Sequence, residues 1–164
     1  MTKTLTLVLG LGNPLLGDDG VGWHIAEQVQ RRIQEAPYLA EVGCLSVGGL
    51  RLMERLVGYD RVILLDAIST GQQGPGYVYC LSLEDFPDLA AGHLSSAHDT
   101  TLPTALELGT TLGVPLPTEV RIVAVEAQHI FDFMDGLTPA VAAAVPHATQ
   151  RVLEILEENA YGLP

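Results

Sequence analysis

The segment spanning residues 5–23, LTLVLGLGNPLLGDDGVGW, constrains the fold more than any other part of the chain. Residues 5–9 form a short uncharged apolar run, which is typical of a β-strand covered on both faces. Glycines and a proline then indicate a loop, and Asp18 and Asp19 precede a helical pattern whose first free N–H groups a carboxylate can cap. The segment predicts the first half of a β–loop–α unit. Ligands of open α/β sheets bind outside the carboxyl ends of the strands, so we expect a functional site at this loop.

The glycine loop does not fit a nucleotide phosphate. A dinucleotide fingerprint has the form G-x-G-x-x-G, but Leu15 stands where the third glycine belongs after Gly10 and Gly12. The two aspartates also lie where a phosphate would meet the start of the helix, and like charges repel there. We therefore interpret the loop as one that presents a carboxylate.

Alternating apolar patterns extend this unit over the whole chain. They predict strands at residues 41–47, 62–65, 77–81 and 119–125, and helices at 21–36, 50–57, 83–91, 102–112 and 138–158. The short turn at residues 71–76 suggests that the fourth strand is antiparallel, and Pro146 predicts a kink or a late start of the last helix. The fold class is α/β: one domain over residues 1–164, a three-layer αβα sandwich with a mostly parallel, twisted five-stranded sheet and helices on both faces.

The charge excludes several partners. The formal net charge is −12 with only 8 lysines and arginines, so we expect no nucleic acid and no anionic membrane as partner.

No apolar run approaches the roughly 20 residues needed to span a bilayer. The first residues do not resemble a signal peptide, and Cys44 and Cys80 lack metal-type spacing, which favours buried free thiols in a reducing cytoplasm.

Three residues are candidates for chemistry: Asp19, Asp66 and His98. The two aspartates follow predicted strands and His98 ends a loop, so the three could meet at one edge of the sheet. Two carboxylates and an imidazole suit a divalent metal of the zinc or nickel type, or acid–base chemistry without a metal. Each also has a structural alternative: Asp19 as a helix cap, Asp66 as a turn cap and His98 as a surface residue. Glu126 and His129, after the fifth strand, are second-rank candidates.

The ordered motifs GLGNPLLGDDGVG, LLDAI and SSAHD resemble the hydrogenase maturation endopeptidases, and EAQ and DGLTPAV extend the resemblance over nearly the whole chain. This resemblance implies a phosphorylase/hydrolase-like fold and an endopeptidase of an aspartic or metal-dependent type. Such an enzyme removes the C-terminal extension from the precursor of the nickel–iron hydrogenase large subunit after nickel insertion.

The resemblance also implies a site. The family's metal-binding residues fall on Asp19, Asp66 and His98, which would be both the catalytic and the metal-binding residues. Nickel would be supplied by the active site of the substrate, and no organic cofactor is expected. We expect the precursor as partner and a monomer in solution, with a metal-polarised carbonyl attacked by water as the working hypothesis.

Two other functions share features with this sequence. A non-catalytic nickel-sensing chaperone of the large subunit would use the same three residues. Peptidyl-tRNA hydrolases share a GLGNP-type opening, but they carry a histidine soon after the loop and basic surface for RNA. This chain has Asp18 and Asp19 there and a charge of −12, which makes an RNA substrate unfavourable.

Overall fold

A computed structural model describes residues 4–35, 40–85 and 101–160, and these residues form five strands and four α-helices. The strands are β1 Thr6–Leu11, β2 Ala40–Leu45, β3 Arg61–Ile68, β4 Val78–Ser82 and β5 Glu119–Glu126. The helices are α1 Val21–Ile33, α2 Gly49–Leu56, α3 Leu102–Thr111 and α4 Pro139–Ala160, and a 3₁₀ turn at Gly17–Gly20 precedes α1.

The strands form one sheet in the order β2-β1-β3-β5-β4. The first four strands of this order pair in parallel, while β4 pairs with β5 in the antiparallel direction. The predicted α/β class, the mostly parallel five-stranded sheet and the antiparallel fourth strand are therefore confirmed. The parallel arrangement brings the carboxyl ends of β1, β3 and β5 to the same edge, which we call the carboxyl edge.

Alternate residues of the central strands pack into two separate cores. In β1, Val8 belongs to the core under α1 and α4, whereas Leu7 and Leu9 belong to the core under α2 and α3. Because successive side chains of a strand point to opposite faces, one strand serves both layers. The helices thus cover both faces of the sheet, as the sequence predicts.

Helix α4 begins at Pro139 and continues past Pro146, which excludes a late start and leaves a kink at this proline as the prediction. Two other local predictions are wrong. Strand β3 does not end before Asp66 but continues through it to Ile68, so this carboxylate lies inside a strand. Cys44 and Cys80 are free thiols, but Cys44 is exposed and Cys80 is only half-buried, so the predicted burial is not observed.

Some predictions lie outside the described residues. His98 and most of the helix predicted at residues 83–91 fall there, and residues 83–85 form a turn. In the part of the chain that the structure describes, no helix is both long and apolar enough to cross a membrane.

Candidate active site

The glycine loop after β1 is shaped around Asp19. The backbone N–H of Asn13 donates to Oδ2 of Asp19 at 2.7 Å, which closes the loop over the carboxylate. Gly12 has a φ of 100°, and a Cβ at this position would lie 2.0 Å from the carbonyl oxygen of Asp19. Only glycine fits both the conformation and the space. The loop thus presents a carboxylate, as the sequence predicts.

Helix α1 starts close to the sheet because Gly10 on β1 and Gly22 on α1 face each other and neither carries a side chain. A Cβ on Gly22 would lie 2.3 Å from the carbonyl oxygen of Leu65 and 2.6 Å from that of Leu11. A Cβ on Gly10 would lie 2.5 Å from the carbonyl oxygen of Gly22. The two glycines therefore bring the acidic turn before α1 against the carboxyl ends of β1 and β3.

Asp66 is a buried carboxylate at this edge, with only 3% of its surface exposed. Burial raises its pKa well above the ordinary value, the negative charge of Asp19 raises it further, and the hydrogen bond from the Ala67 N–H only partly offsets them. That bond joins Ala67 N to Asp66 Oδ1 at 2.8 Å. Asp19 and Asp66 are thus close enough for their charges to interact, and their mutual repulsion disfavours the state in which both are ionised.

The neighbouring carboxylate, Asp18, has a different role. It is buried, and its two oxygens accept hydrogen bonds from Thr138 N at 2.7 Å and from Thr138 Oγ1 at 3.0 and 2.8 Å. Thr138 directly precedes α4, so Asp18 binds the start of the last helix, where a negative charge is favourable. It does not cap α1, which the sequence allowed it to do in place of Asp19.

Glu126 is a buried carboxylate that anchors a neighbouring loop. It accepts hydrogen bonds from Thr70 N at 2.9 Å, Thr70 Oγ1 at 2.7 Å, Gly71 N at 3.0 Å and Tyr79 Oη at 2.9 Å. Burial raises the pKa of Glu126, but these hydrogen bonds outweigh it and the net pKa is lowered. These donors stabilise the charged form of Glu126. The carboxylate therefore holds the loop after β3 in place, and its hydrogen-bonding capacity is used there and not for a ligand.

His129 lies on the segment that follows β5, at the predicted edge. Its side chain is exposed and its Nδ1 lies 2.8 Å from Asp132 Oδ2, whereas its backbone oxygen accepts a hydrogen bond of 3.1 Å from Asp18 N. The backbone of His129 thus supports the acidic turn, while its imidazole turns to Asp132.

His98 lies outside the described residues, and its placement stays a prediction; the next described element along the chain is α3. Gly58 N donates to Pro115 O at 3.0 Å and Thr118 N to Asp60 O at 2.9 Å, so the segment after α3 lies at the amino ends of β3 and β5. Helix α3, which spans about 15 Å at 1.5 Å per residue, therefore starts toward the carboxyl edge. His98 precedes Thr101, the residue that caps α3, by three positions.

The described residues hold two of the three predicted metal ligands. By the alternation of β3, Asp66 points to the same face as Leu64 and Ile68, which is the face covered by α2 and α3. Within residues 4–35, 40–85 and 101–160, no three His, Cys, Asp or Glu side chains gather as a metal site. The carboxylate oxygens of Asp19 and Asp66 are of the donor type that divalent cations take, and the three-residue metal site stays a prediction.

Comparison with known proteins identifies the family. The family model described as hydrogenase maturation protease matches residues 23–155. The hydrogenase 2 maturation protease of Escherichia coli is 31% identical over 93% of this chain and 91% of its own length. The chain belongs to the hydrogenase maturation protease family. The predicted family, and with it a peptidase function in hydrogenase maturation, is confirmed.

Solved structures of hydrogenase maturation proteases agree with this assignment. The hydrogenase maturating endopeptidase HybD from Escherichia coli is 30% identical, with a TM-score of 0.74 over 93% of this chain and 92% of that one. The [NiFe] hydrogenase maturation protease HybD from Thermococcus kodakarensis is 27% identical, with a TM-score of 0.65 over 92% and 98%. The family model begins after the acidic turn, so Asp19 lies outside the matched residues.

Proposed function

We propose that this protein removes the C-terminal extension of the nickel–iron hydrogenase large-subunit precursor once nickel is in place. The observation that carries the proposal is the pair formed by Asp19 and Asp66 at the carboxyl edge of the sheet. The chain belongs to the hydrogenase maturation protease family, and Asp66 is buried beside the negative charge of Asp19, with the Ala67 N–H as a hydrogen-bond donor. A buried carboxylate beside a second carboxylate is costly unless a proton or a cation joins it.

Asp19, Asp66 and His98 would hold nickel that the substrate carries, and the ion would then serve as the signal that the precursor is ready. A bound ion of this type supplies Lewis-acid polarisation of a peptide carbonyl and favours attack by water. The catalytic type of the enzyme is part of this proposal. In the proposed site, Asp19 lies at the rim and contacts the C-terminal tail of the substrate as it enters, while Asp66 lies at the bottom of the site.

The chain's own residues prepare this step. In the free protein Asp66 keeps its proton to a higher pH than an exposed carboxyl, because of burial and the charge of Asp19. Asp66 would have to give up that proton in order to bind a cation together with Asp19. The hydrogen bond from Asn13 N fixes the orientation of Asp19, so that little reorganisation is needed when the substrate arrives.

The direct test is the intact mass of the precursor after incubation with this protein, with and without inserted nickel. We expect loss of a C-terminal peptide from the nickel-loaded form alone. The variants Asp19→Asn, Asp66→Asn and His98→Gln should each lower kcat/KM by at least about 100-fold. Glu126→Gln is the matched control for a buried carboxylate, and His147→Gln for an exposed histidine on α4.

The outcomes are separable. Binding of the nickel-loaded precursor without any change of mass would contradict cleavage and favour a nickel-sensing chaperone. Cleavage at the same rate with and without nickel would refute the metal signal, and full activity of the Asp66→Asn variant would remove Asp66 from the site.

A further inference from the structure

The segment between β5 and α4 exposes large apolar side chains beside the candidate site. Phe131 is 79% exposed and Phe133 is 85% exposed, and Met134 is also exposed. Leu15, on the glycine loop, is 67% exposed. We call these four residues the apolar lip.

Backbone contacts fasten the lip to the turn that presents Asp19. Leu16 and Met134 form an isolated parallel β-bridge, and a Cβ on Gly17 would lie 3.2 Å from the Cβ of Met134. The two segments thus run side by side directly before the 3₁₀ turn that carries Asp19. The lip therefore lies next to the turn that carries Asp19.

The lip concentrates phenylalanine side chains at the surface. The sequence contains only three phenylalanines, and two of them lie here at the surface. Aromatic side chains and methionine are enriched at the centres of protein interfaces, where their burial contributes much of the binding energy. Contiguous exposed apolar residues on a protein surface indicate an interaction site.

The charges around the lip indicate the character of the partner. Asp132 and Asp135 lie on the same segment as the two phenylalanines, and the whole chain carries a net charge of −12. An apolar surface with an acidic surround is complementary to an apolar patch with a basic rim. The opposite charges would steer such a partner toward the lip, and its apolar patch would then be buried against the aromatic rings.

We propose that the apolar lip docks the folded body of the protein substrate, through an apolar patch with a basic rim next to the base of its C-terminal tail. This inference rests on the proposed function, because it takes the substrate to be a folded precursor. Since Asp66 is buried and Asp19 lies at the rim, the tail alone enters the site. The body of the precursor then rests on the surface next to the rim, which the lip provides.

The test is the steady-state cleavage of nickel-loaded precursor by the double variant Phe131→Ala/Phe133→Ala. We expect KM to rise between about 10- and 100-fold with kcat at saturation unchanged, because truncated aromatic anchors weaken binding and leave the chemistry intact. Leu112→Ala is the matched control: Leu112 is 69% exposed but follows α3, at the opposite edge of the sheet. It should leave KM and kcat unchanged, and Phe131→Leu/Phe133→Leu should restore most of the affinity.

The melting temperature of the double variant checks its fold, and it should equal that of the wild type since both rings are exposed. A second measurement is direct binding of nickel-loaded precursor to the inactive Asp19→Asn variant, with and without the lip substitutions, by calorimetry. We expect the same 10- to 100-fold loss of affinity there.

Three results would overturn the docking proposal: an unchanged KM in the double variant, an equal rise of KM in Leu112→Ala, or a dimer in sedimentation that the lip substitutions dissolve. The last result would mean that a second copy of this chain covers the lip. If the wild type cleaves precursor and the double variant does so with the same KM, docking fails while the proposed function stands. If the wild type binds precursor through the lip without cutting it, the proposed function fails while docking stands.

Discussion

Two adjacent carboxylates, Asp18 and Asp19, should respond to substitution in opposite ways. Asp18 is buried and accepts hydrogen bonds from the backbone N–H of Thr138 and from its hydroxyl, which both carboxylate oxygens share. Asp19 is half-buried and accepts the N–H of Asn13 beside the buried Asp66. We predict that Asp18→Ala destabilises the fold and that Asp19→Ala abolishes cleavage.

The magnitude for Asp18→Ala follows from its contacts. Hydrogen bonds to charged groups contribute about 1.5–3 kcal/mol each, and a donor left unsatisfied away from water costs about 1–3 kcal/mol. The N–H of Thr138 loses its acceptor outright, while the hydroxyl can rotate toward other partners. Loss of the negative charge at the start of α4 adds about 0.5 kcal/mol. The free energy of unfolding should fall by about 3 kcal/mol, which corresponds to a drop in melting temperature of roughly 6–12 °C.

The assay has two parts. Urea or thermal unfolding, followed by circular dichroism, gives the free energy of unfolding of each variant. Cleavage of nickel-loaded precursor at a temperature well below the transition gives kcat/KM. Asp18→Ala should stay within about 10-fold of the wild type in kcat/KM, because the folded fraction keeps Asp19, whereas Asp19→Ala should lose about 100-fold or more with a stability change of about 1 kcal/mol.

A matched control and a refuting result complete the design. Thr138→Ser keeps both donors and should change the unfolding free energy by less than about 1 kcal/mol, whereas Thr138→Val loses the hydroxyl bonds and should cost about 1–2 kcal/mol. If Asp18→Ala unfolds at the wild-type midpoint but does not cleave, then Asp18 belongs to the chemistry and the division between the two carboxylates is wrong.

Other substitutions test the pKa shifts and the close packing at the same edge. Because the pKa of Asp66 is raised in the folded protein, its contribution to stability is present at low pH and is lost as the pH rises through its folded-state pKa. With a chelator present, the Asp66→Asn variant should therefore have a higher melting temperature than the wild type at pH 8. This difference in melting temperature should close toward pH 4. Glu126 has the opposite sign, since its pKa is lowered and its stabilisation is lost as pH falls; Glu126→Gln should lower the unfolding free energy by about 2–3 kcal/mol at pH 7, and an unchanged urea midpoint would contradict its anchoring role. Gly22→Ala places a Cβ 2.3 Å from the carbonyl oxygen of Leu65, so we expect a loss of about 3 kcal/mol or more, and a wild-type melting curve would show that α1 can move away from the sheet.

The sequence predicts the site's position because that position depends on local patterns. An apolar strand followed by glycines and two aspartates identifies the carboxyl edge, and the parallel sheet then brings Asp19 and Asp66 together. The placement of His98 stays a prediction, since it lies outside the described residues. Local sequence patterns therefore predict which secondary-structure elements lie next to one another.

The roles of individual carboxylates could not be predicted, because their partners are distant in sequence. The donor to Asp18 lies 120 residues away at Thr138. The donors to Glu126 lie 56, 55 and 47 residues earlier, on Thr70, Gly71 and Tyr79. Strand β3 also continues past Asp66, against the prediction, because its backbone pairs with β5 as far as Glu126. A charge in an apolar run ends a strand only where no neighbouring strand continues the pairing.

The 3₁₀ turn explains how neighbours with the same chemistry acquire different functions. With three residues per turn, successive side chains point about 120° apart, so Asp18 and Asp19 cannot face the same surroundings. Asp18 faces the start of α4 and Asp19 faces the loop over Asp66, while the preceding residues run beside Met134. One four-residue turn thus joins the last helix, the carboxylate pair and the apolar lip. A residue inserted into this turn would rotate Asp19 away from Asp66 and also break the bond to Thr138. Cleavage and stability should therefore be lost together, whereas substitution of Asp18 mainly lowers stability and substitution of Asp19 mainly lowers cleavage.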